Sequence, residues 1–444
     1  MRVSASARPP AKPTTVADAY RFFLPLMLMA ELMMISHAII AGFLARMHDP
    51  EPILAAYSVS FAFHATLGSP VWACQIVFLS FVRDKQTMWK LAKFGLQAFA
   101  SVAWIWLLLS VTPLGDSTFR ELFGVSDEVA TQAKLCLLLS IVIPPTSILR
   151  SLAYSLLMTE RRTIWVTAGT IIRLVGLAAL LSVITLWAEG AVVGVIALAG
   201  CITIETVVAL LIALPAYRRL PDTTQALPSY RELWLFGWPI MIMQIAESSV
   251  LLVTNFFLGR LPRAELALAS FAVMESVMRV LLSPLRNLIH TTQTLVKSRA
   301  DARVILIFGT QIALAFGGVT LLFYVPWIRD WVLYDIMGMP AHMAEYVVSA
   351  LGISFLLAVG MAAASLSRGL LIASKNTGAI AVSSAVRIAA VVLAGVIGIA
   401  VGASNGAMLG MIALILAFAS EATVLGIRLI QLDRRAPLFA EKLS

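Results

Sequence analysis

The sequence predicts an all-α polytopic membrane protein, with twelve transmembrane helices in two parallel six-helix lobes. Three observations carry that prediction. The chain is 60% hydrophobic and only 13% charged, with a mean hydropathy of +0.91, whereas a soluble globule carries about twice that charged fraction. Apolar runs long enough to cross a bilayer recur twelve times, each near or above the roughly 20 residues that a span requires. The second six runs repeat the first six.

The N-terminal stretch "MRVSASARPPAKPTTVADAY" is basic and contains proline. It leads into an apolar run longer than a signal-peptide core, which marks a retained span. Apolar runs fall at 20–46, 53–82, 91–112, 129–158, 163–187 and 190–215, then at 233–258, 265–296, 302–325, 341–370, 376–399 and 402–430. This gives a tail over 1–19, an N-lobe over 20–215, a linker over 216–232, a C-lobe over 233–430 and a tail over 431–444. The run at 129–158 is too long for one upright crossing and must tilt or extend past the hydrocarbon.

Lys and Arg sort to alternate ends of these runs. Arg2, Arg8, Lys12, Arg83, Lys85, Arg161, Arg218, Lys297, Lys375, Arg434 and Lys442 are among the many on one side, against Arg46, Arg120, Arg260, Arg263 and Arg329 on the other. The positive-inside rule then places both termini in the cytoplasm, in a multi-pass protein of a bacterial inner membrane. The net charge of +9 is thereby explained by short loops beside spans and calls for no nucleic-acid partner. Cys74, Cys136 and Cys201 lie in apolar runs without Cys-x-x-Cys spacing, which fits packing rather than metal or redox chemistry.

The repeat holds a constant register. "FLPLMLMAELMMISHAIIAGFLAR" lies over "FGWPIMIMQIAESSVLLVTNFFLGR" at an offset of 214 residues, pairing Pro25 with Pro239 and Arg46 with Arg260. Ser69-Pro70 pairs with Ser283-Pro284, "RSLAYSLLMTERRT" with "ASLSRGLLIASKNT", and Arg173 with Arg387. After a two-residue slip, Glu205 pairs with Glu421 and Arg218-Arg219 with Arg434-Arg435. An even number of spans per repeat keeps the halves parallel, and secondary transporters place solute at such repeat interfaces.

Polar residues inside the spans mark the candidate site. On one continuous helix, Glu275, Arg279, Arg286, His290 and Lys297 share a stripe of about 80°. Arginine at mid-membrane costs about 3 kcal/mol or more, so this stripe faces protein or water. Glu275 and Arg279 are four apart and neutralise each other, which leaves Arg286 and His290 without an acid on their own helix. With Gln244 and Asn255 from the seventh span, Arg279, Arg286 and His290 form the candidate substrate-binding set, since arginine grips anionic groups through paired hydrogen bonds. The competing reading makes Arg286 a scaffold partner for an acid on another helix.

Glu31, His37, Glu247 and Glu275 are the candidate ion-coupling residues. A buried carboxylate is suited to take and lose a proton or to hold sodium. Glu31 and Glu247 serve equally as static partners of Arg150, Arg279 or Arg286. Arg173 and Arg387 fit a structural pair with Glu205 and Glu421, one per lobe. Prolines 25, 70, 144, 145, 239 and 284 supply either hinges or fixed kinks. No Walker lysine motif, His-x-x-x-His cluster or nucleotide fold is present, so neither an enzyme nor a bound cofactor is expected, beyond coupling to protons or sodium.

The pattern "FFLPLMLMAELMMISHAIIAGFLAR" followed by "LAAYSVSFAF" resembles the multidrug and toxic compound extrusion (MATE) group of the multidrug/oligosaccharidyl-lipid/polysaccharide (MOP) exporter superfamily. Residues 54–87 resemble more closely its progressive ankylosis protein branch. The resemblance implies a V-shaped carrier that alternates between inward and outward openings, with Glu31 the nearest match to an acid early in helix 1. The branch resemblance implies efflux of pyrophosphate, nucleotides or citrate. The expected function is therefore export of an organic or phosphorylated anion, with a small anionic or amphipathic solute and the bilayer as partners and a monomer sufficient. A multidrug exporter of cationic amphiphiles and a flippase for a lipid-linked anion are the alternatives.

Overall fold

A computed structural model describes residues 14–435 apart from 45, 49, 124–125, 224–225 and 338. The cations Arg2, Arg8, Lys12 and Lys442 lie outside the described residues. Among the described residues, twelve helices are long and apolar enough to cross a membrane. In the first half these are α1 (Val16–Leu44), α2 (Pro52–Phe81), α3 (Lys85–Val111), α4 (Asp127–Thr159), α5 (Thr163–Ile184) and α6 (Ala191–Arg219). In the second half they are α7 (Tyr230–Leu258), α8 (Leu266–Leu295), α9 (Arg299–Tyr324), α10 (Ser354–Ala373), α11 (Gly378–Ala400) and α12 (Gly406–Arg434). The chain is a multi-pass, all-helical membrane protein. Its near end is the one at which α1 begins and α12 finishes.

The two repeats break their fourth spans at matching places. Within α4, a 3-10 turn at Ser140–Val142 precedes Pro144 and Pro145. The equivalent break at Ile353 divides the run expected at 341–370 into a separate helix, Ala341–Gly352, and α10. Ser140 Oγ donates to the Leu137 carbonyl at 2.7 Å, and Ser354 Oγ to the Leu351 carbonyl at 2.7 Å, 214 positions on. A hydroxyl bonding back into its own helix competes with the backbone ladder and bends it. Each lobe also carries a short helix outside the expected spans, Pro113–Phe123 in the first and Pro326–Asp330 in the second, both opened by proline, whose fixed φ suits a first helical position.

The helix ends repeat as well. Arg161 and Lys375, again 214 apart, both have φ of 59°. In each case the next residue's N–H reaches back to a carbonyl five positions earlier, Arg162 to Leu157 and Asn376 to Leu371, at 2.8 Å. This is a Schellman closure with a long cationic side chain where glycine is usual.

The long polar stripe expected on helix 8 is broken, which corrects the sequence reading. Ser283–Asn287 forms a 3-10 segment around Pro284. Three residues per turn rotate each position about 20° further than an α-helix does, so Glu275 and Arg279 leave the line of Arg286 and His290. Lys297 lies beyond the helix, exposed at the near end.

The lobes join at the near end. α2 packs on α7 and α1 on α8 and α9. Gln293 of α8 donates to the Ile76 carbonyl and to Ser80 Oγ of α2, both at 2.7 Å. Asn287 donates to the Leu26 carbonyl at 2.8 Å, and Thr14 N–H to Asp301 at 2.8 Å. Phe308 takes edge contacts from Tyr20 and Phe23, and Phe81 meets Phe236. In the opposite half, the apolar cluster around Ile40, Leu44, Trp106, Phe119 and Leu198 draws only on N-lobe residues among those described. The lobes therefore close over the near half.

Candidate functional site

Each lobe encloses a buried ion network built on its last helix. In the N-lobe, Glu205 of α6 is ion-paired to Arg150 of α4 and lies 3.5 Å from Arg173 of α5. Tyr154 donates to Glu205 Oε1 at 2.8 Å and Thr170 at 3.1 Å. Two guanidiniums against one carboxylate leave a charge of +1 in this network.

In the C-lobe, Arg368 of α10 grips Glu421 of α12 with two hydrogen bonds, Nε donating to Oε1 at 2.8 Å. Arg387 of α11 lies 3.0 Å from Glu421 Oε2 and donates to the Met243 carbonyl at 3.0 Å. Glu247 of α7 extends this network. Its Oε2 lies 3.2 Å from Arg368 and 3.6 Å from Arg387, and its Oε1 lies 2.9 Å from Nε of Arg286 on α8. Three guanidiniums against two carboxylates again leave +1.

Exposure distinguishes the members. The Arg368 and Arg387 side chains are 1% and 0% exposed, Glu247 is 11% exposed, and Arg286 is 55% exposed. Arg286 thus meets Glu247 through Nε while more than half of its side chain stays exposed. Fully buried charges of this kind require pairing, because an isolated ion in low dielectric carries a penalty of several kcal/mol.

The expected site residues separate into three groups. Arg286 and Glu247 come together, with His290 one turn nearer the near end. His290 is half-buried, and its Nδ1 has no hydrogen-bond partner. Arg279 holds Glu275 on its own helix, at 2.7 and 2.8 Å through Nη2, and stays 47% exposed. Glu31 and His37 lie on α1, with His37 within electrostatic range of Arg279 and of Arg173 in the N-lobe network. Glu31 is half-buried with no ion pair among the described residues, and the His37 ring packs 4.8 Å from Phe61. Gln244 and Asn255 are half-buried on α7.

The expectation of a cation at Arg286 with no acidic neighbour holds for its own helix and fails across helices. Glu247 with three cationic neighbours has the arrangement of a static partner. Arg173 and Arg387 pair with Glu205 and Glu421, as their matched positions suggest. Arg368, the centre of the C-lobe network, was not among the expected site residues. Its signal was an arginine in mid-span lying over Tyr154 in the aligned repeats. His64 was also missed; it is buried beyond Phe61 with Nδ1 unpartnered, and a lone histidine in an apolar run gave no pattern to follow.

Solved structures share this architecture. The eukaryotic MATE transporter AtDTX14 superposes with a TM-score of 0.75 at 14% identity, over 95% of this chain and 98% of that one. A MOP superfamily transporter from Pyrococcus furiosus, described as having a binding pocket of reverse polarity, gives a TM-score of 0.76 at 12% identity over 95% and 96%. A mutant form of the Vibrio cholerae MATE transporter VcmN gives 0.74 at 14% identity over 96% and 98%. No family model and no curated protein matches the chain by sequence. The chain has the fold of the MATE transporters of the MOP superfamily.

Proposed function

We propose that this protein is a secondary active transporter that exports an organic or phosphorylated anion by alternating access through the gap between its lobes. The observation that carries the reading is Arg286, whose side chain is 55% exposed and whose guanidinium is the one that brings its network from neutral to a charge of +1. Arg279 and Arg286 both hold carboxylates, yet neither lies in a dry core, since both side chains are about half exposed. Glu247 orients Arg286 through Nε and leaves its two terminal nitrogens for a solute, a fork suited to carboxylate or phosphate. His290 on α8 and Gln244 and Asn255 on α7 are half-buried and are proposed to extend the lining. A pocket of reverse polarity in the P. furiosus transporter of this fold is consistent with such a lining.

Coupling to protons or sodium falls to Glu31 and His37, which lie outside both arginine networks, with Glu275 occupied by Arg279. Arg- and Lys-rich short loops support cytoplasmic termini in a bacterial inner membrane, and the sequence likeness to the progressive ankylosis branch supports an anionic solute. The test is uptake by proteoliposomes of a panel of anions and cations, with proton and sodium gradients imposed separately. Arg286→Ala loses anion uptake while the protein stays folded; undiminished uptake removes Arg286 from the solute site.

A second reading, export of cationic amphiphiles, rests on one observation, the unpaired half-buried carboxylate of Glu31. Uptake of cations that depends on Glu31 and is indifferent to Arg286 establishes that reading in place of the first.

A further inference from the structure

A groove of about 1040 Å³ opens at the near end of the C-lobe, outside both arginine networks, between the starts of α7 and α11 and the end of α12. Its wall is divided by depth. Arg231, Lys375 and Arg428 stand at the water end, and Leu235, Val382 and Val424 lie toward the membrane interior. The position of Val382 four residues into α11 puts it about 6 Å deeper than the helix start. Leu235 and Val382 are exposed, so the deep half is bare apolar surface.

None of the three cations has a carboxylate within ion-pair distance among the described residues, although Glu232 also lines the groove. Lys375 instead lies 4.6 Å above the ring of Phe81, which closes the groove from α2 of the other lobe. Burial, followed by the nearby Arg83, holds the Lys375 amine below its usual range, with Glu232 opposing the shift, and an anion beside it opposes the shift further. Lys375 reaches this position through the left-handed turn that closes α10.

We infer that this groove is a binding site for an anionic phospholipid, the phosphate held by Arg231, Lys375 and Arg428 and an acyl chain laid over Leu235, Val382 and Val424. Basic pockets between transmembrane helices on the cytoplasmic side take such headgroups. Amphipathic division of the wall selects a lipid over a free anion, because a soluble phosphate leaves the apolar half uncovered. The assignment does not rest on the transport reading, since Arg286 does not enter the groove, although Phe81 and Phe236 of the lobe junction line it.

The test is native mass spectrometry of the full chain in detergent, titrated with phosphatidylglycerol and, separately, phosphatidylcholine. Phosphatidylglycerol is retained preferentially, and each of Arg231→Gln, Lys375→Gln and Arg428→Gln lowers its affinity about fivefold, the ratio equivalent to 1 kcal/mol per basic side chain near a membrane surface. The far-end control Arg260→Gln leaves retention unchanged, and size-exclusion chromatography confirms that all variants stay folded. Equal retention of the two lipids, an equal loss in Arg260→Gln, or displacement of phosphatidylglycerol by equimolar glycerol phosphate overturns the assignment.

Discussion

Tyr154 and Arg368 occupy the same position of the two repeats, 214 residues apart, and each donates a 2.8 Å hydrogen bond to Oε1 of the glutamate on the last helix of its lobe. The position of Arg150 is held by Ala364 in the second repeat. The guanidinium has therefore moved by one helical turn between the lobes while each buried glutamate kept two arginine partners. Both arrangements satisfy the same requirement, a carboxylate in low dielectric saturated by donors.

This exchange is testable. Arg150→Ala destabilises the protein by about 3–5 kcal/mol, because Glu205 then lacks its closest cation. Adding Tyr154→Arg transplants the C-lobe arrangement into the N-lobe and recovers most of that loss. Thermal unfolding in detergent reads both effects, and failure of the double variant to recover shows that the two networks are not interchangeable.

Arg286 and Arg368 share Glu247 and differ in exposure, so their removal has unequal consequences. Arg286→Met costs no more than about 1 kcal/mol, as for a solvent-screened pair. Arg368→Met costs about 3–5 kcal/mol, since it leaves two buried carboxylates to Arg387 and Arg286. Equal losses of stability place Arg286 in the structural core and remove it from the solute surface.

The near-end junction is a point that the proposed alternating access must break. Gln293 and Ser80 touch at 2.7 Å across it. Cysteines at both positions, joined by a short thiol crosslinker, stop transport, and cleavage of the linker restores it. The native Cys74, Cys136 and Cys201 are buried and do not compete for the reagent. Full transport in the crosslinked protein excludes parting of the lobes at this end.

Arg161 holds a φ of 59° that L side chains adopt at a cost. Arg161→Gly removes the strain and stabilises by about 1 kcal/mol, net of the extra freedom of glycine in the unfolded chain. Since Arg161 lies outside both arginine networks, transport is unchanged, and a fall in melting temperature shows that the side chain makes a stabilising contact at the membrane surface.

The duplication was legible in sequence because prolines and arginines recur at a 214-residue offset and the glutamates follow after a two-residue slip; the matching turns at Ser140 and Ser354 came from the structure. The spans were legible because a bilayer imposes length and apolarity directly on the chain. The break in α8 had a signal in Pro284, yet an unbroken helix was the simpler extrapolation of a 100° period. The split of the run at 341–370 had a weaker signal, Gly352 before Ser354.

What the sequence by itself determined is thus a twelve-span, duplicated membrane bundle with buried charge in both halves. Tertiary structure alone decided which charges meet. Glu247 and Arg286 lie on successive helices at positions that no spacing relates, and their 2.9 Å contact depends on how α7 and α8 are rotated about their axes. That rotation is set by packing against α2, α10 and α11, which leaves Arg368 and Arg387 enclosed and Arg286 at the open face. Periodicity fixes neighbours along one helix, whereas pairing between helices follows from packing in three dimensions, where a buried ion must find its partner.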